Sequence, residues 1–320
     1  MNTYKLNICF YIVSDEIEDK IVLNDNTNIV FINHGKKVLR KDIGFSKDGN
    51  YLFASVDEGI IYEVVIEAQS DNNAEEIVDL LNSCLALVQG APSYDLDQLI
   101  TNIHHKNDDI SLNLPSYSFD GNDSIYLACK MLKRAIICDS IKIAVLKFSV
   151  AHEIFYLYPM DLEPFNDTYD YQYLLSRQIK MGYSIIVSYS ILEELNLHVK
   201  ASKEKPSSID GVWNKEVVEE LQSRLSTKGL NPNKKIPWLS RSTRNRPFKN
   251  QIESSKLCDW SDGRKVRDFE INITEAILET SYIRSQIASH SNAGKVTELC
   301  LYDVENMNML IRSILLDLLA

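Results

Sequence analysis

The sequence lacks the features that mark several classes of protein. No apolar run approaches the roughly 20 residues needed to span a bilayer, and no basic leader precedes an apolar segment at the N-terminus. There is no GxxxxGK[ST] phosphate loop, no GxSxG nucleophile elbow and no HExxH pair. These absences favour a cytoplasmic protein and give no motif support to an ATPase, an esterase or a zinc protease.

Metal-binding and disulfide patterns are also missing. The six cysteines are scattered without CxxC spacing: Cys9, Cys84, Cys129, Cys138, Cys258 and Cys300. They are expected to be buried, reduced thiols rather than disulfides or zinc ligands. The adjacent His104 and His105, close to Asp108 and Asp109, have no third spaced ligand and are expected to be solvated. The sequence therefore predicts neither a metal nor another cofactor.

Composition and charge bound the class of protein. With 320 residues, of which 45% are hydrophobic and 25% charged, the chain is typical of a globular protein and long enough for two domains. The net charge of -11 is unevenly distributed, since residues 1–118 contain 8 Lys and Arg against 19 Asp and Glu. Such an acidic segment repels nucleic acid, so it serves either solubility or a basic protein partner.

The first third of the sequence alternates short apolar runs with polar, turn-like clusters. The predicted strands are KLNICFYIV, NIVFIN, GNYLFASV and GIIYEVVIEA, separated by DNTN, NHGKK and SKDG. A helix should begin at about Asn73 and end near Gly90, because apolar residues recur between them at helical spacing. We predict an α+β domain over residues 1–115, a candidate sensor or regulatory domain, joined to the rest by a polar segment.

From residue 120 onward the pattern changes to long helices. Helical runs are predicted at 125–138, 140–158, 174–195 and 214–225, and two more helices finish the chain. Residues around 200–268 are predicted to form a basic, loop-rich insertion, because half of the eight prolines fall between 205 and 247. The predicted fold class is α+β, with a strand-rich N-terminal domain followed by a mainly α-helical domain over 120–320.

Positive charge is concentrated in one segment, residues 222–249, which we call the basic stretch. It contains eight basic side chains and no acidic one: Arg224, Lys228, Lys234, Lys235, Arg241, Arg244, Arg246 and Lys249. Trp238 and Phe248 lie among them, and arginine with aromatic side chains is a composition that binds phosphates while stacking bases. A solvated loop whose charges pair with nearby acidic helices explains the pattern equally well.

The run ETSYIRSQIASHSNAGK places Arg284 and His290 six positions apart on a predicted amphipathic helix. A guanidinium matches two phosphate oxygens with a rigid fork, and an imidazole exchanges a proton near neutral pH. At about 100° per residue, the two side chains lie on opposite edges of the apolar stripe, roughly 120° apart. They meet only if the helix loosens at Ser289 or if a second copy of the chain packs across.

Two patterns on other predicted helices bear on the same region. Glu193 and Glu194 diverge by about 100° on a helix, so they do not form a shared acid–base pair, and either one is free to pair with an arginine.

The last helix carries an apolar stripe of Val304, Met307, Ile311, Ile314, Leu315 and Leu318. Core packing in a helical bundle or a homodimer seam would cover that stripe.

The segment VRDFEINITEAILETSYIRSQIASH, followed by LYDVENMNMLIRSILLDLL, resembles the C-terminal half of a HEPN domain. The superfamily motif is an arginine and a histidine separated by four to six residues, and here five intervene. Upstream, IYLACKMLKRAI, IKIAVLKFSVAHEIFYL and MGYSIIVSYSILEELNLHVKAS resemble the earlier helices of a bacterial HEPN-like group, and KGLNPNKKIPWLSRSTR resembles its inserted loop. The resemblance covers roughly residues 120–320 and implies a HEPN-like helical bundle.

This resemblance implies metal-independent cleavage of RNA, in bacterial antiviral defence or a toxin–antitoxin system. Arg284 and His290 are then the catalytic residues, and Ser285 occupies the place where active members often have Asn, Asp or His. The predicted substrate-binding residues are Ser285 and Asn292, together with Lys234, Lys235, Arg241, Arg244 and Arg246 of the basic stretch. RNA is the expected substrate, and the expected assembly is a homodimer, with a further protein partner or an antitoxin as an option.

Two other interpretations start from the same residues. A non-catalytic HEPN-like module would dimerise or dock onto a nuclease or another defence component. A nucleic-acid-binding regulator would act through the basic stretch and release no product, and its binding would depend steeply on salt.

Overall fold

The computed structural model describes residues 1–12, 17–45, 51–90, 117–118, 124–156, 175–241, 266–288, 296, 299 and 301–320. The chain divides into two compact units, Met1–Cys138 and Asp139–Ala320. Both combine helices with antiparallel strand pairs, so the fold belongs to the predicted α+β class. No helix in the described ranges is both long and apolar enough to cross a membrane.

The first unit contains a five-stranded sheet with the strand order β2-β3-β4-β1-β5. Its strands are β1 (Asn2–Ile12), β2 (Lys20–Asn24), β3 (Thr27–Phe45), β4 (Tyr51–Ala68) and β5 (Tyr117–Ser118). All neighbours are antiparallel except β1 and β5, which are parallel. Residues 62–66 of β4 are buried in succession, as expected for a central strand covered on both faces.

Two predictions for this sheet are wrong. The segments GNYLFASV and GIIYEVVIEA lie largely in one strand, β4, and the predicted turn NHGKK lies inside β3. The register of β3 against β4 shifts between Asn33 and Lys37, where the polar residues lie, and the pairing of the two strands continues on both sides of the shift. The segment IVLN forms part of an additional strand, β2. The polar residues of NHGKK therefore form an irregularity within the long β3–β4 strand pair and not a turn between two strands.

Helix α1 (Asp71–Gln89) follows the sheet, close to the limits that its sequence predicts. At its start the side chain of Ser70 accepts a hydrogen bond from the amide of Asn73, and at its end Gly90 adopts a φ of 72°. The apolar row on its buried face includes Ile77, Leu80, Leu81 and Leu85. This row packs toward β4 and the next helix.

Helix α2 (Ser124–Ala135) packs on α1 and β2 within the first unit. The hydroxyl of Tyr126 accepts a hydrogen bond from the amide of Glu18 at 3.2 Å, and the Lys130 ammonium lies 4.4 Å from the centre of the Tyr126 ring. The first unit thus extends beyond residue 115 and includes a helix that the sequence pattern groups with residues 120–320. An amphipathic helix packs where its apolar face is covered, which its place in the sequence does not reveal. The predicted roles of the two domains stay predictions.

The described part of the second unit contains five helices and two hairpins. They are α3 (Asp139–Tyr156), α4 (Leu175–Glu194), β6 (Ser208–Ile209), β7 (Val212–Trp213), α5 (Lys215–Thr227), β8 (Lys235–Arg241), β9 (Val266–Asn272), α6 (Ile273–Ala288) and α7 (Leu301–Leu319). Helix α3 packs against α4, and α7 contacts α3, α4, α6 and β8. The buried part of the α7 stripe consists of Val304, Met307, Ile311, Ile314 and Leu315. Core packing within one chain therefore covers this stripe.

The predicted loop region contributes β8 to an antiparallel pair with β9, which runs from Lys235 opposite Asn272 to Arg241 opposite Val266. Asn306 of α7 bonds both backbone groups of Leu239 in β8. Its Oδ1 accepts from the Leu239 amide at 2.8 Å, and its Nδ2 donates to the Leu239 carbonyl at 2.8 Å. The amide side chain acts like a short additional strand and holds β8 on α7.

His152 is a buried titratable residue of α3. Its Nδ1 lies 3.1 Å from the carbonyl oxygen of Phe148, and the two ring centroids are 4.0 Å apart. The pKa of His152 is lowered from 6.5 to about 4, chiefly by burial; the hydrogen bond to Phe148 opposes the shift, and the nearby charge of Arg312 adds to it. The ring is therefore neutral at pH 7.

This shift predicts a loss of stability in acid. Between pH 6.5 and 4 the unfolded chain binds a proton at His152 that the native chain does not. The stability that the neutral, buried ring contributes is therefore fully present above pH 6.5 and is lost as the pH falls toward 4. The full effect is roughly 3 kcal/mol. Urea unfolding of wild type and His152→Gln should show the stability difference shrinking as pH falls from 7 to 4. A difference that is constant with pH would contradict the shift.

The contact of Asn306 with β8 predicts a second stability difference. Asn306→Asp keeps the size and the acceptor for the Leu239 amide but loses the donor to the carbonyl, so we expect a loss of about 1–3 kcal/mol in urea unfolding. Asp317→Asn is the matched control, because it removes the 2.6 Å ion pair with Lys234 between α7 and the residue preceding β8. That pair is about one-third exposed, so its loss should cost less than about 1 kcal/mol. Equal effects of both changes would sink the proposed role of Asn306.

Candidate active site around Arg284

The structure describes only some of the predicted site residues. Arg284 and Ser285 lie on α6, Lys234 and Lys235 lie at the start of β8, and Arg241 is the last residue of β8. Four predicted residues lie outside the described residues: His290, Asn292, Arg244 and Arg246. The pairing of Arg284 with His290 therefore stays a prediction.

Arg284 faces α4, where Tyr189 and Glu193 lie one turn apart on the same side of the helix. Its Nη2 donates to Oε1 of Glu193 at 3.1 Å, and its guanidinium carbon lies 5.4 Å from the centre of the Tyr189 ring. Among the described residues, Glu193 is its one hydrogen-bond acceptor. The side chains of Arg284 and Glu193 are 40% and 42% exposed. The guanidinium is thus oriented by two contacts and remains accessible from solvent.

The two adjacent glutamates of α4 have different partners, as their helical divergence predicts. Glu193 pairs with Arg284, whereas Glu194 pairs with Lys147 of α3 at 3.2 Å. The prediction that one glutamate is available to an arginine is therefore confirmed, and the tertiary structure identifies it as Glu193. Glu194 belongs to the packing of α4 on α3.

Tyr189 lies beneath Arg284 and is held in place by two hydrogen bonds. Its buried hydroxyl donates to Oγ of Ser281 at 3.1 Å and accepts from the amide of Val199 at 3.2 Å. Burial raises the pKa of Tyr189, while the bonds with Ser281 and Val199 and the charge of Arg284 oppose the rise. Ser281 lies three residues before Arg284, on the same face of α6. The phenol stays neutral and ties α6 to α4 beneath the arginine.

Ser285 has a local role on α6. Its hydroxyl donates to the carbonyl oxygen of Tyr282 at 2.7 Å, one turn earlier in the same helix, and the residue is exposed. The hydroxyl is thus bonded to its own helix backbone. Its predicted part in binding substrate stays a prediction.

His198 is a residue of the site that sequence reasoning missed. Asn196, with a φ of 55°, ends α4 and turns the chain so that the amides of Leu197 and His198 both donate to the carbonyl of Leu192. Within the described residues, the buried Nδ1 of His198 has no hydrogen-bond partner. Burial lowers the pKa of His198, Arg224 and Lys200 lower it too, and Glu193 raises it. The available signal was a histidine just past the end of the predicted 174–195 helix.

Arg224 of the basic stretch holds this turn in place. Its Nη1 donates to the carbonyl of Asn196 at 2.7 Å, and its Nη2 donates to the carbonyl of His198 at 2.9 Å. Glu220, one turn earlier on α5, lies 3.9 Å from the Nε of Arg224 and 2.9 Å from the ammonium of Lys205. A cation at carbonyl groups beyond a helix C-terminus is electrostatically favourable. Arg224 therefore joins α5 to the segment that carries His198.

The other described residues of the basic stretch bear on the two interpretations of its composition. Lys234 pairs with Asp317, as the solvated-loop interpretation expects, while Lys235 is exposed. Trp238 is only 5% exposed, so it is not available for stacking on a base. Its burial follows from the strand period of β8, in which Ile236 and Trp238 point to the same side. The binding roles of Lys234 and Lys235 stay predictions.

Cysteine and metal chemistry find no support within the described ranges. Cys84 and Cys129 are buried free thiols, as predicted, and burial raises the pKa of Cys84 to about 12 and that of Cys129 well above its ordinary value. Cys138 is a free thiol that is half-buried. No group of three or more His, Cys, Asp or Glu side chains in this part of the chain is placed to hold a metal ion.

The geometry around Tyr189 predicts a specific change in backbone protection. Tyr189→Phe keeps the ring beneath Arg284 but removes the acceptor of the buried Val199 amide, so hydrogen exchange at Val199 should accelerate roughly tenfold or more. Ser281→Ala is the control, since it leaves the Tyr189–Val199 bond intact. Residue-resolved exchange would check both variants. Unchanged protection of Val199 in the phenylalanine variant would contradict the bond.

Comparisons with known proteins leave the function to be argued from the site. No protein-family model matches the chain, and neither a curated protein nor a solved structure matches it. The resemblance to HEPN domains therefore rests on the sequence segments quoted for it.

Proposed function

We propose that this protein is a metal-independent endoribonuclease of the HEPN type, with its site on α4 and α6 of the second unit. The observation that carries the proposal is the state of Arg284. Its guanidinium is oriented by the Tyr189 ring and the Glu193 carboxylate, yet its side chain is 40% exposed. A fixed and accessible guanidinium is suited to bind a phosphate group.

The packing of the helices supports a HEPN-like bundle. Helices α3 and α4 pack together, and α7 packs against α3, α4 and α6. The long helices of the second unit thus share one core, and Arg284 lies at its edge rather than inside it. A bundle with a polar site between facing helices is a common way to build a helical active site.

The reaction needs only groups that the protein itself supplies. The 2′-hydroxyl of the RNA attacks the adjacent phosphorus, the bond to the 5′-oxygen breaks, and a 2′,3′-cyclic phosphate forms. Arg284 stabilises the charge on the pentacoordinate phosphate, and His290 accepts the hydroxyl proton or protonates the leaving oxygen. Because DNA lacks the 2′-hydroxyl, the activity is confined to RNA.

The expected assembly follows from the position of the two residues. On a straight helix Arg284 and His290 diverge by roughly 120°, so a homodimer that completes the site from two copies is part of the proposal. The stripe of α7 is covered within one chain and does not supply the seam. A cytoplasmic role in antiviral defence or a toxin–antitoxin system, with the first unit as a sensor and an antitoxin or other protein as partner, fits the same proposal.

The alternative is a non-catalytic HEPN-like module that docks onto a defence or toxin partner. The observation that favours it is the Glu193 carboxylate, which already neutralises Arg284 at 3.1 Å. An arginine held by a glutamate serves packing equally well. The two functions differ in one measurable property, which is the release of RNA product.

The test is cleavage of labelled total RNA and transfer RNA by the full-length protein in EDTA. We expect 2′,3′-cyclic phosphate ends, and a loss of at least about 100-fold in rate for Arg284→Ala and for His290→Ala. Arg284→Lys should also be impaired, because an ammonium lacks the planar fork. Glu194→Gln is the matched control and should cleave like wild type, since Glu194 pairs with Lys147 outside the site.

Equal behaviour of wild type, Arg284→Ala and His290→Ala would overturn the ribonuclease proposal. Partner binding that survives both substitutions would then identify the non-catalytic module. Cleavage that stops on adding EDTA would contradict the metal-independent mechanism, even if the arginine variant were inactive.

A further inference from the structure

Four cations from three segments lie around the end of α4, and we call them the cation cluster. They are Lys200, Lys205, Arg224 and Arg284. Two carboxylates are shared among them, because Glu193 pairs with Arg284 while Glu220 lies within ion-pair distance of Lys205 and Arg224. Lys205, Arg224 and Lys200 together lower the pKa of Glu220, which therefore stays ionised at neutral pH. The cluster carries more positive than negative charge.

Lys200 is the cation of this cluster whose ammonium has no partner in the part of the chain that the structure describes. It is exposed, and its side chain forms no ion pair or hydrogen bond within the described residues. Its charge lowers the pKa of both His198 and Glu220. Lys205 and Arg224 are already engaged with Glu220 and with backbone carbonyls. Lys200 is therefore the side chain best able to take a new anion.

The segment that carries His198 links Lys200 to the Arg284 site. Val199, between His198 and Lys200 in the sequence, donates its amide to the Tyr189 hydroxyl at 3.2 Å, and the Tyr189 ring lies beneath Arg284. The charges of Arg224, Lys200 and Glu193 all act on the pKa of His198. Its Nδ1 is buried and, within the described chain, unpartnered. An unpartnered buried ring nitrogen is costly unless the surroundings gain from it. The bonds of Arg224 to the carbonyls of Asn196 and His198 keep the ring and Lys200 beside α4.

We infer that Lys200, held next to Arg284 by the contacts of Tyr189 and Arg224 with residues 196–199, forms a binding subsite for a backbone phosphodiester of single-stranded RNA. The subsite takes the phosphate neighbouring the one at Arg284, and it rests on the proposed function of that site. It assigns strand binding to the end of α4, whereas the composition of the sequence points to the basic stretch beyond residue 228. Phosphate contacts of this kind hold the strand without reading its sequence.

The test measures binding without cleavage. The full-length protein is titrated into a fluorescently labelled single-stranded RNA whose 2′-hydroxyls are methylated, by anisotropy at several salt concentrations. Lys200→Gln should raise the Kd roughly tenfold, the equivalent of one charge-assisted hydrogen bond, and reduce the salt slope by about one unit. Lys200→Arg should retain binding close to that of wild type. Lys133→Gln, at another exposed lysine, on α2, is the control and should leave Kd and slope unchanged.

The outcomes separate this inference from the ribonuclease proposal. If Lys200→Gln binds like wild type and the Lys133 control, or if wild type shows no binding, the subsite is overturned, whatever the cleavage assay shows. If Lys200→Gln loses affinity and salt dependence while unmodified RNA is left intact by wild type, the subsite stands and the ribonuclease proposal falls. Loss of affinity equal in the Lys200 and Lys133 variants would indicate a nonspecific charge effect and would also overturn it.

Discussion

The hydroxyl of Tyr189 is the contact on which the arrangement of the candidate site depends. One oxygen donates to Ser281 of α6 and accepts from the amide of Val199, in the segment that leaves α4. Because the ring is buried, these two bonds fix its plane, and the plane in turn supports the guanidinium of Arg284. Three separate parts of the second unit are thus aligned by a single polar side chain in an apolar core.

The ion pairs around this tyrosine divide into two kinds. Arg224 makes two bonds of 2.7 and 2.9 Å to backbone carbonyls just beyond the end of α4, so it contributes to the fold. Arg284 and Glu193 are each about 40% exposed, and such a pair contributes little to stability. This difference is the physical reason why the proposed phosphate site is placed at Arg284, with Arg224 as its support.

Features that depend only on neighbouring residues in the sequence could be predicted from it. The cap at Ser70, the glycine at position 90 and the apolar row of α1 depend on neighbouring residues, so the helix limits could be read in advance. The divergence of Glu193 and Glu194 follows from helical geometry alone. The strand β8 was missed because prolines and basic residues surround a short alternating run, and its stability comes from β9 and Asn306, which lie far away in the sequence. The burial of Trp238 follows from the same pairing.

The sequence by itself determined the α+β class, the acidic first third, the helix that carries Arg284 and the spacing from Arg284 to His290. These properties depend on composition and on interactions between residues a few positions apart. Only the tertiary structure decided that Glu193 is the partner of Arg284, that the Tyr189 hydroxyl bonds Ser281 of α6, and that Arg224 binds the carbonyl of His198. Those contacts join residues about 25 to 90 positions apart, and they form only when apolar faces of separate helices are buried together.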